Sequence, residues 1–152
     1  MIKLPMGETE YGALARTLRK VDFFEPLTVG QLEKVVPYIL LYAYGAGDTV
    51  FRQGEASDAF YVVYSGKVSV QVKAGFFSRT KTVTTLGAGD FFGEMALLSR
   101  DPRSASVSCD EDSRIFVLLA GDFEFILKEN PTFATEVGRI AARRRFSAQH
   151  DR

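Results

Sequence analysis

Apolar residues near the start of the chain recur with helical spacing. Leu14, Leu18 and Val21 stand at i, i+4 and i+7, which predicts a helix with one apolar face. A second helix is predicted to open at Thr28, because Gln31 lies three residues later and would complete a capping box. The apolar face of this second helix would consist of Leu32, Val35 and Val36.

The middle of the chain, from about residue 39 to residue 119, has the pattern of short strands. It is rich in Val, Phe, Tyr and Thr and is divided by glycines at short intervals. A predicted turn at residues 65–66 separates two alternating runs, Tyr61 and Val63 before it and Val68, Val70 and Val72 after it. We expect these runs to place apolar side chains on one face and polar side chains on the other. Many short strands with frequent turns are typical of a sandwich or barrel.

The end of the chain returns to helical spacing. A short helix is predicted to start at Asp122 and to contain Phe123, Ile126 and Leu127. Asn130 and Pro131 predict the start of another helix, because Asn is a strong N-cap and Pro is favoured at the first helical position. The sequence therefore predicts a single domain, with N-terminal helices over 1–37, a β-roll over 38–119 and C-terminal helices over 120–152.

Composition and charge narrow the range of partners. Lys plus Arg and Asp plus Glu are equal at 19 each, so the chain lacks the basic excess on which nucleic-acid binding depends. No apolar run approaches about 20 residues, so we expect no membrane segment in this chain. The single Cys109 cannot form an internal disulfide, which fits a cytoplasmic location, and we expect it to be a small buried apolar residue.

Few side chains are candidates for catalysis. The only histidine, His150, lies in the tail, so the cluster of histidines that a metal-dependent β-barrel enzyme needs is absent from the sequence. The strand region also lacks a Ser/His or Cys/His nucleophile pair. We therefore expect a protein that is not an enzyme and that has no metal and no cofactor.

The candidate chemistry lies in the segment 92–107, which interrupts the strand pattern. Gly93 precedes a run of good helix formers, 94–98, that is too short to be stable alone. A one-turn helix inserted here would offer unpaired N–H groups to an anion, and Gly93 would allow close approach. Arg103 could hold a phosphate with two parallel hydrogen bonds. Glu94 would repel a phosphate but could accept from a ribose hydroxyl, so the pair indicates a nucleotide.

These residues also have purely structural interpretations. Arg103 would then be a surface arginine paired with Asp101. Glu94 would be an acid that the helix dipole favours at a helix N-terminus. A binding site can be dismissed only if both structural interpretations are correct and the glycines are also placed for structural reasons. Within the same segment we expect three apolar side chains to belong mainly to the core: Met95, Leu97 and Leu98.

The stretch FGEMALL, followed by PRSASV, resembles the phosphate-binding cassette of cyclic nucleotide-binding domains. The similarity extends from residue 22 to about residue 145, and Gly47, Gly54 and Gly66 stand at turns of the family's first hairpins. The resemblance implies a mainly β fold, an eight-stranded jelly-roll-like β-roll (a double-stranded β-helix), with N-terminal helices and two C-terminal helices.

The resemblance also implies a role for each cassette residue. Glu94 would bind the ribose 2′-hydroxyl and Arg103 the cyclic phosphate, while the cassette would be lined by Gly93, Met95, Ala96 and Ser104. Ser104 stands where family members that favour cGMP often carry Thr, so the resemblance favours cAMP, with cGMP bound more weakly. The last helix would cover the base, because Arg or Phe can stack on a purine face. The candidates are Arg143, Arg144, Arg145 and Phe146. Of these, Arg143 and Phe146 are the predicted base-capping residues. The alternative is that these residues form only a solvated helix end.

The function implied by the resemblance is that of a bacterial, cytoplasmic cyclic nucleotide sensor. Ligand binding would pull on the turn 93–98. This turn would contact the hinge before the 122–128 helix, through Leu97 or Leu98 against Phe125 or Leu127. The C-terminal helices would then move. The signal would pass to a separate effector protein or to a fused effector domain, with a homodimer through the C-terminal helix as a further expectation. The alternative function is a degenerate β-roll interaction scaffold that no longer binds nucleotide.

Overall fold

The computed structural model describes residues 1–21, 24–25, 27–73 and 79–150, with side chains described as far as residue 143. Helices α1 (Glu8–Leu18) and α2 (Val29–Val35) come first, and α2 continues into a 3-10 turn at Val36–Tyr38. Helices α3 (Ala120–Glu129) and α4 (Pro131–His150) follow the strands. Within the described ranges, no helix is both long and apolar enough to span a bilayer.

The predicted starts of α2 and α4 are confirmed. Thr28 Oγ1 accepts a hydrogen bond from the Gln31 N–H at 3.1 Å, and the Gln31 side chain accepts from the Thr28 N–H at 2.8 Å. The capping box therefore satisfies two backbone donors that a helix start would otherwise leave without partners. Helix α4 begins at Pro131, as expected for a proline that follows an Asn N-cap.

Two other helix ends differ from the prediction. Helix α3 begins at Ala120 rather than at Asp122, because the chain passes directly from the last strand into the helix. Helix α1 ends at Leu18, so Val21 lies beyond it. Val21 is nevertheless fully buried, since the turn after α1 returns this side chain to the same core as Leu14 and Leu18.

The strands form two antiparallel sheets among the described residues, in the orders β1-β2-β9-β4-β7 and β3-β8-β5-β6. This mainly β architecture with flanking helices confirms the predicted β-roll. A short N-terminal strand, β1, was not predicted; it pairs antiparallel with β2, with Leu4 opposite Leu41. The strands are β1 (Ile2–Leu4), β2 (Leu40–Tyr44), β3 (Thr49–Phe51), β4 (Ala59–Ser65), β5 (Lys67–Val72), β6 (Lys81–Gly87), β7 (Phe91–Phe92), β8 (Ser106–Cys109) and β9 (Ser113–Leu119).

The turn at residues 65–66 is a crossing between sheets, not a hairpin within one sheet. Strand β4 belongs to the five-stranded sheet and β5 to the four-stranded sheet, so the two do not pair with each other. Gly66 makes this crossing with φ +102°, and a Cβ atom at this position would lie 2.6 Å from Ser113 Cα. Only glycine fits such a position, because a side chain would be strained by both the backbone and the contact.

Strand β4 has an apolar core on each side, so the expected polar face is absent here. Phe60 and Val62 join the cluster between the five-stranded sheet and the helices, together with Leu14 and Phe123. Tyr61 and Val63 join the cluster between the two sheets, which also contains Phe51, Val68, Phe92, Val107 and Ile115. Alternation along this strand therefore separates two cores rather than core from solvent.

Cys109 lies in the core between the two sheets with 2% of its surface exposed. Burial raises the pKa of its thiol above the ordinary value. The side chain therefore remains a neutral thiol at neutral pH, and its interpretation as a small buried apolar residue is confirmed.

Candidate functional site

Gly93 begins the inserted turn with a backbone that favours glycine. Strand β7 ends at Phe92, and Gly93 follows with φ +75°, in the left-handed region. The 3-10 turn Glu94–Leu97 then begins, and the Ala96 N–H donates to the Gly93 carbonyl at 3.1 Å. A short helical insertion was predicted here, and its single turn is closed by i→i+3 hydrogen bonds.

Arg103 lies directly behind this glycine and is buried. Its side chain is 4% exposed, and Nη2 donates to the Ala59 carbonyl at 2.8 Å. Nη2 also lies 3.4 Å from a carboxylate oxygen of Asp58, whose side chain is 70% exposed. The alternative interpretation, a surface arginine paired with Asp101, is therefore wrong: Arg103 is inside the roll, and its ion pair is with Asp58.

The guanidinium of Arg103 retains an unused hydrogen-bond donor. Within the part of the chain that the structure describes, its buried Nε has no hydrogen-bond partner. Buried polar groups are nearly always paired, and leaving one unpaired costs roughly 1–3 kcal/mol, more when the group is charged. A buried cation with an available in-plane donor is therefore suited to an anionic ligand.

A cavity of about 510 Å³ opens beside Arg103, within the size range of small-molecule sites. Most of the residues predicted for the site line it: Gly93, Glu94, Met95, Arg103 and Ser104. Glu94 is half-buried and Ser104 is exposed at the cavity. The structure therefore brings a carboxylate, a guanidinium and a hydroxyl to one cavity.

Two residues of the turn depart from the predicted arrangement. Ala96 is 2% exposed and does not line the cavity, and its N–H is engaged by the Gly93 carbonyl. Met95 was expected mainly in the core, but it is 47% exposed at the cavity. One helical turn can bury only one side, and in this turn Ala96 and Leu97 occupy the buried side.

Two contributors to the site were missed by sequence reasoning, Phe51 and Asp58. Phe51 ends strand β3 and lines the cavity, although it stands 43 positions before Glu94 and more than 50 before Arg103 in the sequence. Asp58 precedes strand β4 and reaches Arg103. Neither residue stands near the cassette in sequence, so no local pattern could have found them. Tyr61 lies beside them, and burial raises its pKa to about 12, which keeps this phenol neutral.

The base-capping candidates do not line the cavity where they are described. Arg143 is exposed, and no described side chain of α4 contributes to the cavity lining. The side chains of Arg144, Arg145 and Phe146 lie outside the described residues. Covering of the base by this helix stays a prediction.

The cassette contacts α3 through the core and at the surface. Leu97 is buried in the same cluster as Phe123 and Ile126, while Leu98 and Leu127 pack against that cluster. Phe125, which we expected at this contact, is half exposed and lies beside Tyr38, with ring centroids 6.2 Å apart. Arg100, three residues after Leu97, forms an ion pair with Glu124 of α3 at 2.7 Å.

The chain belongs to the cyclic nucleotide-binding domain family. The family model for this domain matches residues 42–130, more than half of the chain, and includes the whole cassette. The resemblance seen in the sequence is thus confirmed, and the domain is of the regulatory, cyclic nucleotide-binding type.

Similar proteins carry this domain within several kinds of larger protein. The cGMP-dependent protein kinase egl-4 of Caenorhabditis elegans is 31% identical over 85% of this chain and 18% of its own length. The cyclic AMP receptor protein of Thermus thermophilus is 31% identical over 80% of this chain and 56% of its own. The regulatory domain of Toxoplasma gondii PKA, solved with cAMP, superposes with a TM-score of 0.73 at 27% identity, over 84% of this chain and 48% of that one. The chain therefore spans less than two thirds of each of these relatives.

Proposed function

We propose that the cavity beside Arg103 binds cAMP, with cGMP bound more weakly, and that binding regulates an effector. The observation that carries the proposal is the buried Nε of Arg103, which has no partner among the described residues. A phosphate oxygen accepting from Nε would satisfy this donor and compensate the buried positive charge. Glu94 supports a ribose at the same cavity, because its carboxylate can accept from a hydroxyl group.

The preference for cAMP rests on the side chain at position 104. Ser104 lies at the cavity and carries a hydroxyl without the methyl group of threonine. A serine hydroxyl turns more freely than a threonine hydroxyl, so it is less well fixed toward a guanine. The relatives support cyclic nucleotides in general, since one is named for cGMP and another for cyclic AMP.

Binding without turnover is part of the proposal. Among the described residues, no group of three or more His, Cys, Asp or Glu side chains is arranged to hold a metal ion. The groups at the cavity are suited to hold a nucleotide: a guanidinium for the phosphate, a carboxylate for a hydroxyl, and apolar walls for the base. We therefore propose a sensor that releases its ligand unchanged.

Signal output would use the contact between the cassette and α3. Leu97 lies in one buried cluster with Phe123 and Ile126 of α3. Movement of the turn on binding would therefore be transmitted to α3 through this packing. A ligand shifts such an equilibrium only as far as it favours one arrangement over the other. The receiver of the signal would be a cytoplasmic effector, separate or fused, and a second copy joined through α4 is one candidate arrangement.

Calorimetric titration with cAMP and with cGMP tests the proposal directly. Wild-type protein is expected to bind both, with cAMP tighter, and the nucleotide recovered afterwards should be intact by chromatography. At about 100-fold excess over the dissociation constant, the ligand should stabilise the fold by about 2.7 kcal/mol, visible as a higher melting temperature. Absence of both heat and melting shift at millimolar nucleotide would favour the degenerate scaffold, and formation of AMP would contradict the non-enzymatic assignment.

A matched arginine control separates the site from general charge effects. Arg52 is 72% exposed and does not line the cavity, although it directly follows Phe51. Arg52→Gln should leave nucleotide affinity close to wild type, whereas Arg103→Gln should abolish most of it. Equal losses in both variants would mean that nucleotide is attracted by overall charge rather than by the buried site.

A further inference from the structure

The guanidinium of Arg103 lies against the face of an aromatic ring. Its Cζ atom is 4.0 Å from the centroid of the Phe51 ring and 5.7 Å from that of Tyr61. Phe51 is 8% exposed and Tyr61 is 6% exposed, so the cation meets the rings away from water. A cation over an aromatic face is attracted by the ring quadrupole, most strongly where the pair is desolvated.

The Phe51 ring is itself held in place by two neighbours. Its centroid lies 5.6 Å from that of Tyr61 and 5.8 Å from that of Phe92. Tyr61 and Phe92 stack on each other at 5.0 Å with an interplanar angle of 10°. Phe51 comes from β3 in the four-stranded sheet, while its neighbours come from β4 and β7 in the other sheet. The ring beneath Arg103 is therefore fixed by packing between the two sheets.

The contacts of Arg103 with the Ala59 carbonyl and with Asp58 lie at one end of its guanidinium. Both are made by the one nitrogen Nη2. Contacts at one end constrain the plane of the group less than contacts to all three nitrogens would. The face contact with Phe51 fixes the plane and uses none of the N–H donors, which all lie in the plane. The Nε hydrogen at the edge of the group therefore still has no partner among the described residues.

We propose that Phe51 is a positioning residue for anion recognition: its ring orients the guanidinium of Arg103 so that Nε presents its hydrogen to the ligand phosphate. The inference rests on the proposed function for its ligand, but the orientation itself belongs to the ligand-free protein. Phe51 lies outside the cassette, on β3 of the four-stranded sheet, whereas the cassette turn follows β7 of the five-stranded sheet. The strength of nucleotide binding would then depend on the aromatic character of position 51 as well as on the cassette.

Affinity measurements on three ring variants test the proposal. Phe51→Leu keeps an apolar side chain but removes the ring, and should weaken cAMP binding about 3- to 30-fold, as expected for loss of a desolvated cation–π contact. Phe51→Tyr retains the ring and should restore most of the affinity. Phe116→Leu is the matched control, since Phe116 is also a buried ring but lies beside Tyr64 and does not line the cavity. This control should weaken cAMP binding clearly less than Phe51→Leu does, although both variants should lower the melting temperature by a similar amount.

A second readout uses no nucleotide. In the NMR spectrum of the ligand-free protein, the Nε–H signal assigned to Arg103 by its loss in Arg103→Gln should be shifted by the ring current of Phe51. That shift should disappear in Phe51→Leu and persist in Phe116→Leu. If the shift is present but cAMP does not bind, the proposed function fails while the positioning role stands. If the signal is unshifted in the wild type, or if Phe51→Leu and Phe116→Leu weaken cAMP binding equally, the positioning role is wrong.

Discussion

Gly93 stands so close to Arg103 that a Cβ atom at position 93 would lie 2.8 Å from Nη1 of the guanidinium. The same Cβ would lie 3.3 Å from the Ala59 carbonyl, which is the acceptor for Nη2. The backbone at Gly93 is also left-handed, with φ +75°. One missing side chain therefore allows the turn, the buried arginine and the cavity to occupy the same small region.

Replacement of this glycine should damage binding more than folding. Gly93→Ala is expected to cost about 1–3 kcal/mol of folding stability, because a non-glycine residue is held at positive φ. It should also displace the guanidinium and weaken cAMP binding beyond what the loss of stability explains. Gly89→Ala is the control, since Gly89 has φ +87° but nothing lies within 4 Å of its Cβ position. Chemical denaturation and calorimetry on both variants measure the two effects, and equal losses of affinity would contradict the expectation.

Removal of the buried guanidinium should produce the largest loss of affinity. Arg103→Ala is expected to weaken cAMP binding by about 2–5 kcal/mol, the usual cost of removing one partner of a buried charge pair. The fold should survive, because the side chain faces the cavity rather than filling the apolar core. Calorimetry gives the affinity, and a melting curve of the free protein checks the fold. An affinity within a factor of two of wild type would refute the assigned role.

The role of Glu94 can be separated from that of Arg103 by changing the ligand. Glu94→Ala is expected to cost about 1.5–3 kcal/mol with cAMP, because a charge-assisted hydrogen bond to a neutral hydroxyl is removed. With 2′-deoxy-cAMP the wild type should bind more weakly, and Glu94→Ala should add little further loss. Arg103→Ala should remain costly with the deoxy ligand. If Glu94→Ala weakens both nucleotides by the same factor, the carboxylate only organises the turn.

A single methyl group at position 104 should alter the choice of base. Ser104→Thr is expected to improve cGMP binding relative to cAMP, because the methyl restricts the rotamer of the hydroxyl. The shift should be modest, about 0.5–1.5 kcal/mol, since only one hydrogen bond is involved. Competition titrations with both nucleotides measure the ratio of affinities. An unchanged ratio would show that the base is not recognised at Ser104.

The sequence by itself determined the class of fold and the location of the cassette. Helix starts were predictable where a side chain caps its own backbone, as Thr28 and Gln31 do, because that signal lies within a few residues. The turn at 93–98 was also predictable from the sequence, since a glycine and a short run of helix formers interrupt a strand pattern. Glu94 and Arg103 followed from the same segment, and both line the cavity.

The tertiary structure decided which distant residues complete the site and which faces are buried. Strand β4 showed no alternation between core and solvent, because it lies between two cores, and only the placement of the helices creates the second one. Phe51 reaches Arg103 only because β3 and β8 pair within one sheet, bringing their chain segments together across more than 50 residues. Burial of Arg103, and the unused donor at its Nε, likewise result from packing between sheets, which no local sequence pattern records.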